Sequence, residues 1–369
     1  MQTQDVYERL GKHLSLLGMG YPYREDLVDI LKENFTELEA EVALAFPSRV
    51  MPLRPVGVDE IQKGVSLSRE ELHDVLDSLS QKGLLFIGKT EDGEVGYALL
   101  QVGFGFPQTF FWKGDDNPHA RKMAKAMAKY FSRQVTQEAY GSETKPFRYI
   151  PVEQSIEVDK QAVIPHHKME KVIQDAKRIA LAHCPCRITF KLVGKACPHP
   201  TEVCMKFNDL AQFVIEKGLA KEITKEEALD VIKRSVEAGL VHFVDNAEGE
   251  IQHNCNCCGC ACWNVGNIKR RKIPRDAIMA TYFIRVTDKG ECIGCGECVE
   301  ICPVDALTLD NDYPTVDEEW CIGCGVCATV CPTDSVKIEK RQDRTLDLPA
   351  SNFVELHEII LKEKGLKSP

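Results

Sequence analysis

Eight of the 17 cysteines repeat one pattern near the C-terminus. Cys292, Cys295, Cys298 and Cys302 precede Pro303, and Cys321, Cys324, Cys327 and Cys331 precede Pro332, so each run reads C-x-x-C-x-x-C-x-x-x-C-P. That spacing wraps a loop round one face of a 4Fe-4S cube and sends the fourth thiolate to another cluster. Gly294, Gly296, Gly323 and Gly325 let the backbone curl and turn amide N–H groups toward sulfur. Each proline ends its loop where no further amide donor is needed. Zinc sites also use Cys-x-x-Cys, but two such pairs per ion leave the third step and the closing x-x-x-Cys-Pro unexplained.

The other nine thiols form two groups, Cys184, Cys186, Cys197 and Cys204, then Cys255, Cys257, Cys258, Cys260 and Cys262. Thiols so crowded need a metal to escape mixed disulfides. Nine suffice for two four-thiolate clusters with one over, or for one cluster plus reactive thiols. One or two further iron-sulfur clusters are therefore expected, with zinc or a thiol–disulfide site as alternatives. Adjacent Cys257 and Cys258 point apart in most backbone conformations, which favours ligands divided between sites. Arg187, His183 and His199 can hydrogen-bond cluster sulfur, and each histidine is read as structural rather than as a ligand.

The repeated pattern resembles the bacterial two-cluster ferredoxins over residues 281–340. The resemblance implies crossed ligation, with Cys292, Cys295, Cys298 and Cys331 on one 4Fe-4S cluster and Cys321, Cys324, Cys327 and Cys302 on the other. It also implies low-potential electrons, at roughly −400 mV. Upstream, His183-Cys184-Pro185-Cys186-Arg187, two further cysteines and then Cys255-Asn256-Cys257-Cys258-Gly259-Cys260 resemble a cysteine-rich module of iron-sulfur proteins from strict anaerobes. There the module accompanies a two-cluster cassette and a winged-helix-like region; Ala261 before Cys262 departs from the Cys-Cys ending of that pattern. Cys257-Cys258-Gly259 also resembles the CCG motif that holds a non-cubane cluster in heterodisulfide reductases.

The elements that must position these thiols are legible in part. Leu27, Ile30, Leu31, Leu38 and Val42 predict one amphipathic helix over 24–45. Residues 58–102 read as helix, turn, helix and a hairpin about Asp92-Gly93, an order that resembles a winged helix. Its second helix carries Glu70, Glu71, Asp74 and Asp77, which a phosphate backbone repels, so protein contact or homodimerisation is expected and nucleic acid is not. An aromatic loop at 103–118 and a helix at 119–131 with a basic face follow, then a proline-bearing surface linker at 141–167. The periodicity from Met169 through Val172, Ile173, Ala176 and Ile179 predicts a helix running into His183. Helices are also expected at 209–217, at 225–238 with a Thr224/Glu227 capping box, and at 353–364.

The expected architecture is α+β and multidomain. N-terminal helices and a winged-helix-like domain cover 1–105, and an aromatic loop, basic helix and linker cover 106–167. A mainly helical cysteine-rich metal-binding module spans 168–268, a basic linker 269–280, the ferredoxin-like two-cluster domain 281–340, and a tail with a helix 341–369. The chain has 369 residues, ample for several cores. Residues 281–340 hold four basic side chains against twelve acids, a net −8 of the chain's −10, which suits a basic redox partner protein. No apolar run approaches the roughly 18 residues of a membrane span, and the polar N-terminus lacks a signal-like apolar region. A cytoplasmic protein of an anaerobe is expected. Gly18-x-Gly20 and Gly103-x-Gly105 are isolated pairs without a dinucleotide fingerprint. The sequence thus points to an electron-transfer protein or subunit, with a redox-sensing winged-helix regulator and a reductase acting at the cysteine-rich module as rivals.

Overall fold

The computed structural model describes residues 5–152, 168–344 and 348–366. Helices α1 (Val6–Ser15), α2 (Glu25–Asn34) and α3 (Glu37–Leu44) open the chain. The single helix expected over 24–45 is two, because Thr36 starts a new one. Its hydroxyl accepts from the Glu39 amide at 3.2 Å, and the Glu39 carboxylate accepts from the Thr36 amide at 2.7 Å. Leu38 falls outside the apolar face and is 49% exposed.

Helices α4 (Val58–Gln62) and α5 (Arg69–Gln81) precede the hairpin β1 (Leu85–Lys89) and β2 (Val95–Leu99), and Val56 bridges to Tyr97 on its far side. In α6 (Pro118–Tyr130) the basic face turns to α2, where Lys122 pairs with Glu33 and Lys129 with Asp26. A short α7 (Arg133–Ala139) follows.

The expected surface linker is instead part of the interior at β3 (Phe147–Ile150), whose four residues are all buried; positions 153–167 lie outside the described residues. After α8 (Met169–Asp175) the chain turns at Ala176 into β4 (Ile179–His183), so the helix predicted to reach His183 stops early. Next come α9 (Pro185–Leu192), β5 (Glu202–Phe207), α10 (Asn208–Glu216), β6 (Lys221–Glu222), α11 (Lys225–Glu237), β7 (Val241–Asp245) and β8 (His253–Cys257). The Thr224/Glu227 capping box is formed.

These strands make one antiparallel sheet of order β3-β7-β8-β5-β4-β6. The cysteine-rich module is therefore not mainly helical. Its strand β8 carries only Cys, His and Asn where strand signals need β-branched or aromatic residues, so propensity concealed it.

The supposed basic linker is a packed joint. Lys269 in α12 (Val265–Arg271) pairs with Asp305 at 2.7 Å, and Arg275 donates to the Cys321 carbonyl. The C-terminal region adds β9 (Phe283–Thr287), α13 (Glu297–Glu300), the hairpin β10 (Leu307–Asp310) and β11 (Tyr313–Val316), and β12 (Val336–Lys340) paired with β9. Helix α14 (Phe353–Glu363) returns to the body, burying Phe353, Leu356, His357 and Ile360. One apolar cluster runs from Leu10 through Phe213 and Val304 to Leu361.

Candidate metal centres

The two cysteine loops of the C-terminal region have matching geometry. Gly294 and Gly323 occupy equivalent left-handed positions, φ 70° and 61°. A Cβ at either would meet a backbone carbonyl oxygen 2.2 Å away, of Asp312 and Phe283 respectively. Glycine is thus required twice for the same reason.

The loops enclose two voids of near-equal size. One is lined by Cys302, Cys321, Cys324 and Cys327, the other by Cys292, Cys295, Cys298 and Cys331. All four thiols of the first set are buried, whereas Cys295 in the second is exposed.

Arg285 of β9 lines both voids and is buried. Its Nη2 lies 3.6 Å from Cys298 Sγ, while Nε and Nη1 have no hydrogen-bond partner among the described residues. Burial raises the Cys298 thiol, and raises Cys327 to about 12, with Arg285 opposing both. A buried guanidinium with idle donors between two four-thiol voids fits an anionic sulfur-rich cluster in each. Such clusters, when bound, supply one-electron redox chemistry.

The nine thiols of the module divide differently from any grouping by sequence. Cys255 and Cys257 lie two apart on β8 and share a face. They meet Cys204 from β5, Cys184 and Cys186 at the start of α9, and Cys262 just beyond β8. These six ring a void larger than either C-terminal one.

Cys257 and Cys262 touch at 3.2 Å, His253 Nε2 reaches Cys255 Sγ at 3.1 Å, and Lys206 Nζ reaches Cys204 Sγ at 3.2 Å. Stacked Phe131 and Trp263, with ring centroids 4.9 Å apart, close one wall. The hydrogen bond from Cys255 holds the Cys204 thiol well below its ordinary value against burial, with help from Lys206.

Lys206 and Arg187 are 1% and 2% exposed, and among the described residues neither pairs with a carboxylate. For Arg187, burial opposes the charge, and thiolates at Cys184, Cys258 and Cys257 more than offset it. Two buried cations facing thiols fit an anionic thiolate-bound cluster in the ring.

The remaining three thiols converge elsewhere. Cys197, Cys258 and Cys260 approach His199, and the four donor atoms all lie within 4.8 Å of one another. His199, read from sequence as structural, is therefore placed with the thiols. His183 is not, since its Nδ1 meets Thr201 Oγ1 at 3.1 Å. Only the Cys-Pro-His spacing of residues 197–199, with both side chains on one short loop, hinted at the pairing.

Ring and inner C-terminal void are neighbours. The Val152 amide donates to the Cys324 carbonyl at 2.9 Å, and a Cβ on Gly259 would meet the Pro303 carbonyl oxygen at 2.0 Å. Tyr149 is buried between them: desolvation lifts its phenol well above the ordinary value, and Cys262, Cys257 and Cys324 add to the rise.

Residues 291–335, which contain all eight C-terminal cysteines, match the 4Fe-4S dicluster domain family. A stretch of 26 residues is 54% identical to Ferredoxin-2 of Desulfomicrobium norvegicum, covering 7% of this chain and 44% of that protein. The chain thus spans less than half the length of this curated relative. No solved structure matches the chain. Among the described residues no helix is long and apolar enough to cross a membrane. The C-terminal region is of 4Fe-4S ferredoxin type, and an iron-sulfur electron-transfer role follows for it.

Proposed function

We propose that the chain is an electron-transfer protein or subunit carrying low-potential electrons between a partner oxidoreductase and a further iron-sulfur centre in the six-thiol ring. The observation that carries this reading is the sequence of three thiol-lined voids. The outer one has an exposed cysteine, the inner one is buried, and the ring adjoins the inner one through Tyr149, Val152 and Gly259. In this reading Cys292, Cys295, Cys298 and Cys331 hold the outer cluster, and Cys321, Cys324, Cys327 and Cys302 the inner one. Basic partner proteins dock at the acidic outer end.

Residues 58–102 are read as a winged-helix-like region used for protein contact, including pairing with a second copy. Support comes from the acids of α5 and from Arg69, which is already paired with Asp59. The same charges disfavour nucleic acid. A cytoplasmic setting in an anaerobe agrees with the number of thiols.

Anaerobic purification with iron counting tests the reading. About twelve irons per chain or more are expected, against about eight if only the C-terminal clusters load. Cys257→Ser should bring the count back to about eight. Cys302→Ser should slow reduction of the ring centre by a viologen radical, read by low-temperature electron paramagnetic resonance, while ring iron persists. Equal rates in wild type and variant would sink the relay.

A further inference from the structure

The geometry points to a mononuclear zinc site formed by Cys197, His199, Cys258 and Cys260, separate from every iron-sulfur centre. It stands whether or not the six-thiol ring holds iron.

Donor spacing carries the argument. A tetrahedral zinc with Zn–S near 2.3 Å and Zn–N near 2.0 Å places sulfurs about 3.8 Å apart and sulfur about 3.5 Å from nitrogen. Cys197 Sγ lies 3.7 Å from Cys258 Sγ and 3.1 Å from Cys260 Sγ, and Cys258 and Cys260 are 3.2 Å apart. His199 Nδ1 lies 3.5 Å from Cys197 Sγ and 3.6 Å from Cys260 Sγ. These two sulfur–nitrogen distances and the 3.7 Å sulfur–sulfur distance are those of the tetrahedron, and the sulfurs at 3.1 and 3.2 Å would move apart by roughly 0.6 Å to seat the ion.

In a cubane each thiolate binds a different iron at a separate corner of the cube, whereas these four donor atoms all lie within 4.8 Å of one another and can meet on a single ion. The quartet converges on a point, and the ring surrounds a void. Three thiolates and one imidazole are a donor set that zinc takes in closed structural sites.

The surroundings serve the same end. The Ala261 amide donates to Cys258 Sγ at 3.4 Å, which stabilises a thiolate ligand. Arg187 donates to the Pro200 carbonyl at 2.7 Å and the Asn256 carbonyl at 2.8 Å, tying together the two loops that carry the donors. Zinc there would staple residues 197–199 to 258–260. Cys258 would be held outward while Cys257 faces the ring, which divides the adjacent pair between two centres.

Zinc and iron should be counted together on the full chain, purified anaerobically from zinc-supplemented cells. About one zinc per chain is expected. Cys260→Ser should lose most of it with iron unchanged. His199→Cys keeps four ligands, so zinc and iron should both persist, while the visible band of the cobalt-substituted site moves to longer wavelength. Absence of zinc from the wild type would overturn the proposal. So would a loss of iron in place of zinc in Cys260→Ser, or a cobalt spectrum indifferent to His199→Cys.

Discussion

The C-terminal cassette and the cysteine-rich module gather thiols by opposite means. In the cassette, three of the cysteines lining each void come from one short loop and the fourth from the sister loop. In the module, the ring draws on α9, β5, β8 and the turn after it, so sheet register brings its members together. Phe243 opposite Cys255 and Val241 opposite Cys257 fix one side, and Ala182 opposite Cys204 fixes the other. A loop-built site needs little from its surroundings, whereas a register-built one needs the whole sheet. Damage at the junction should therefore empty the module first.

The largest effect expected outside the ligands is at Gly259. An alanine there would place its Cβ 2.0 Å from a backbone oxygen, which no rotamer change can relieve. Gly259→Ala should cost about 3 kcal/mol and displace the segment bearing Cys258 and Cys260. Gly290→Ala, inside the cassette, would meet only the Asp288 side chain at 3.3 Å and should cost under about 0.5 kcal/mol. Thermal unfolding of both variants, with metal counted on each, checks the contrast. Equal melting temperatures would remove the claim that the junction is rigid.

The same contrast decides what could be read in advance. The cassette's ferredoxin type was legible because every determinant, glycine, cysteine and proline, lies within a few residues of its neighbour. So were α6 and α11, where capping residues and 3.6-residue periodicity agree. Strand β8 was not: His253-Asn254-Cys255-Asn256-Cys257 alternates, but in thiols that line the ring and in buried amides. Asn254 and Asn256 donate to the Phe243 and Val203 carbonyls at 3.1 and 2.7 Å, a use that propensity scales do not anticipate. Strand β3 was hidden among prolines, and His199 lacked any pattern beyond proximity to Cys197. Long-range convergence has no local signature.

A smaller effect sharpens the cassette's side. Arg285 lines both cassette voids and touches nothing in the ring. Arg285→Met removes a buried positive charge and its donors, which favours the more oxidised, less negative clusters. Both cassette potentials should fall by tens of millivolts, about 59 mV for each tenfold change in a one-electron equilibrium. The ring centre should keep its potential. Redox titration followed by electron paramagnetic resonance separates them, and a uniform shift of all centres would mean that Arg285 acts through global structure.

The smallest expected effect concerns acid. Residues 281–340 contain no histidine, whereas the module and the helix over it bury His242, His253 and His357. Burial pushes His242 down to about 4, against the hydrogen bond that its Nδ1–H donates to Asn256 Oδ1, and His357 down to about 3, with Lys364 adding to the fall. His357 is the cleaner probe because its ring packs on Phe104 and Phe353, at 5.4 and 4.4 Å, and contacts no thiol. An unfolded imidazole takes its proton near pH 6.5, while folded His357 does so only near 3. Between those limits the unfolded chain binds more protons, so stability is complete above about pH 6.5 and declines below it, by up to ~1.4 kcal/mol per pH unit for this group. His357→Leu should therefore flatten the loss between about pH 7 and about pH 5.5 by roughly 1 kcal/mol, measured as the difference in denaturation midpoints between variant and wild type. Parallel pH dependences would mean that His357 is solvated or charged in the folded state, and acid sensitivity would then have to arise at the thiols, erasing this difference between module and cassette.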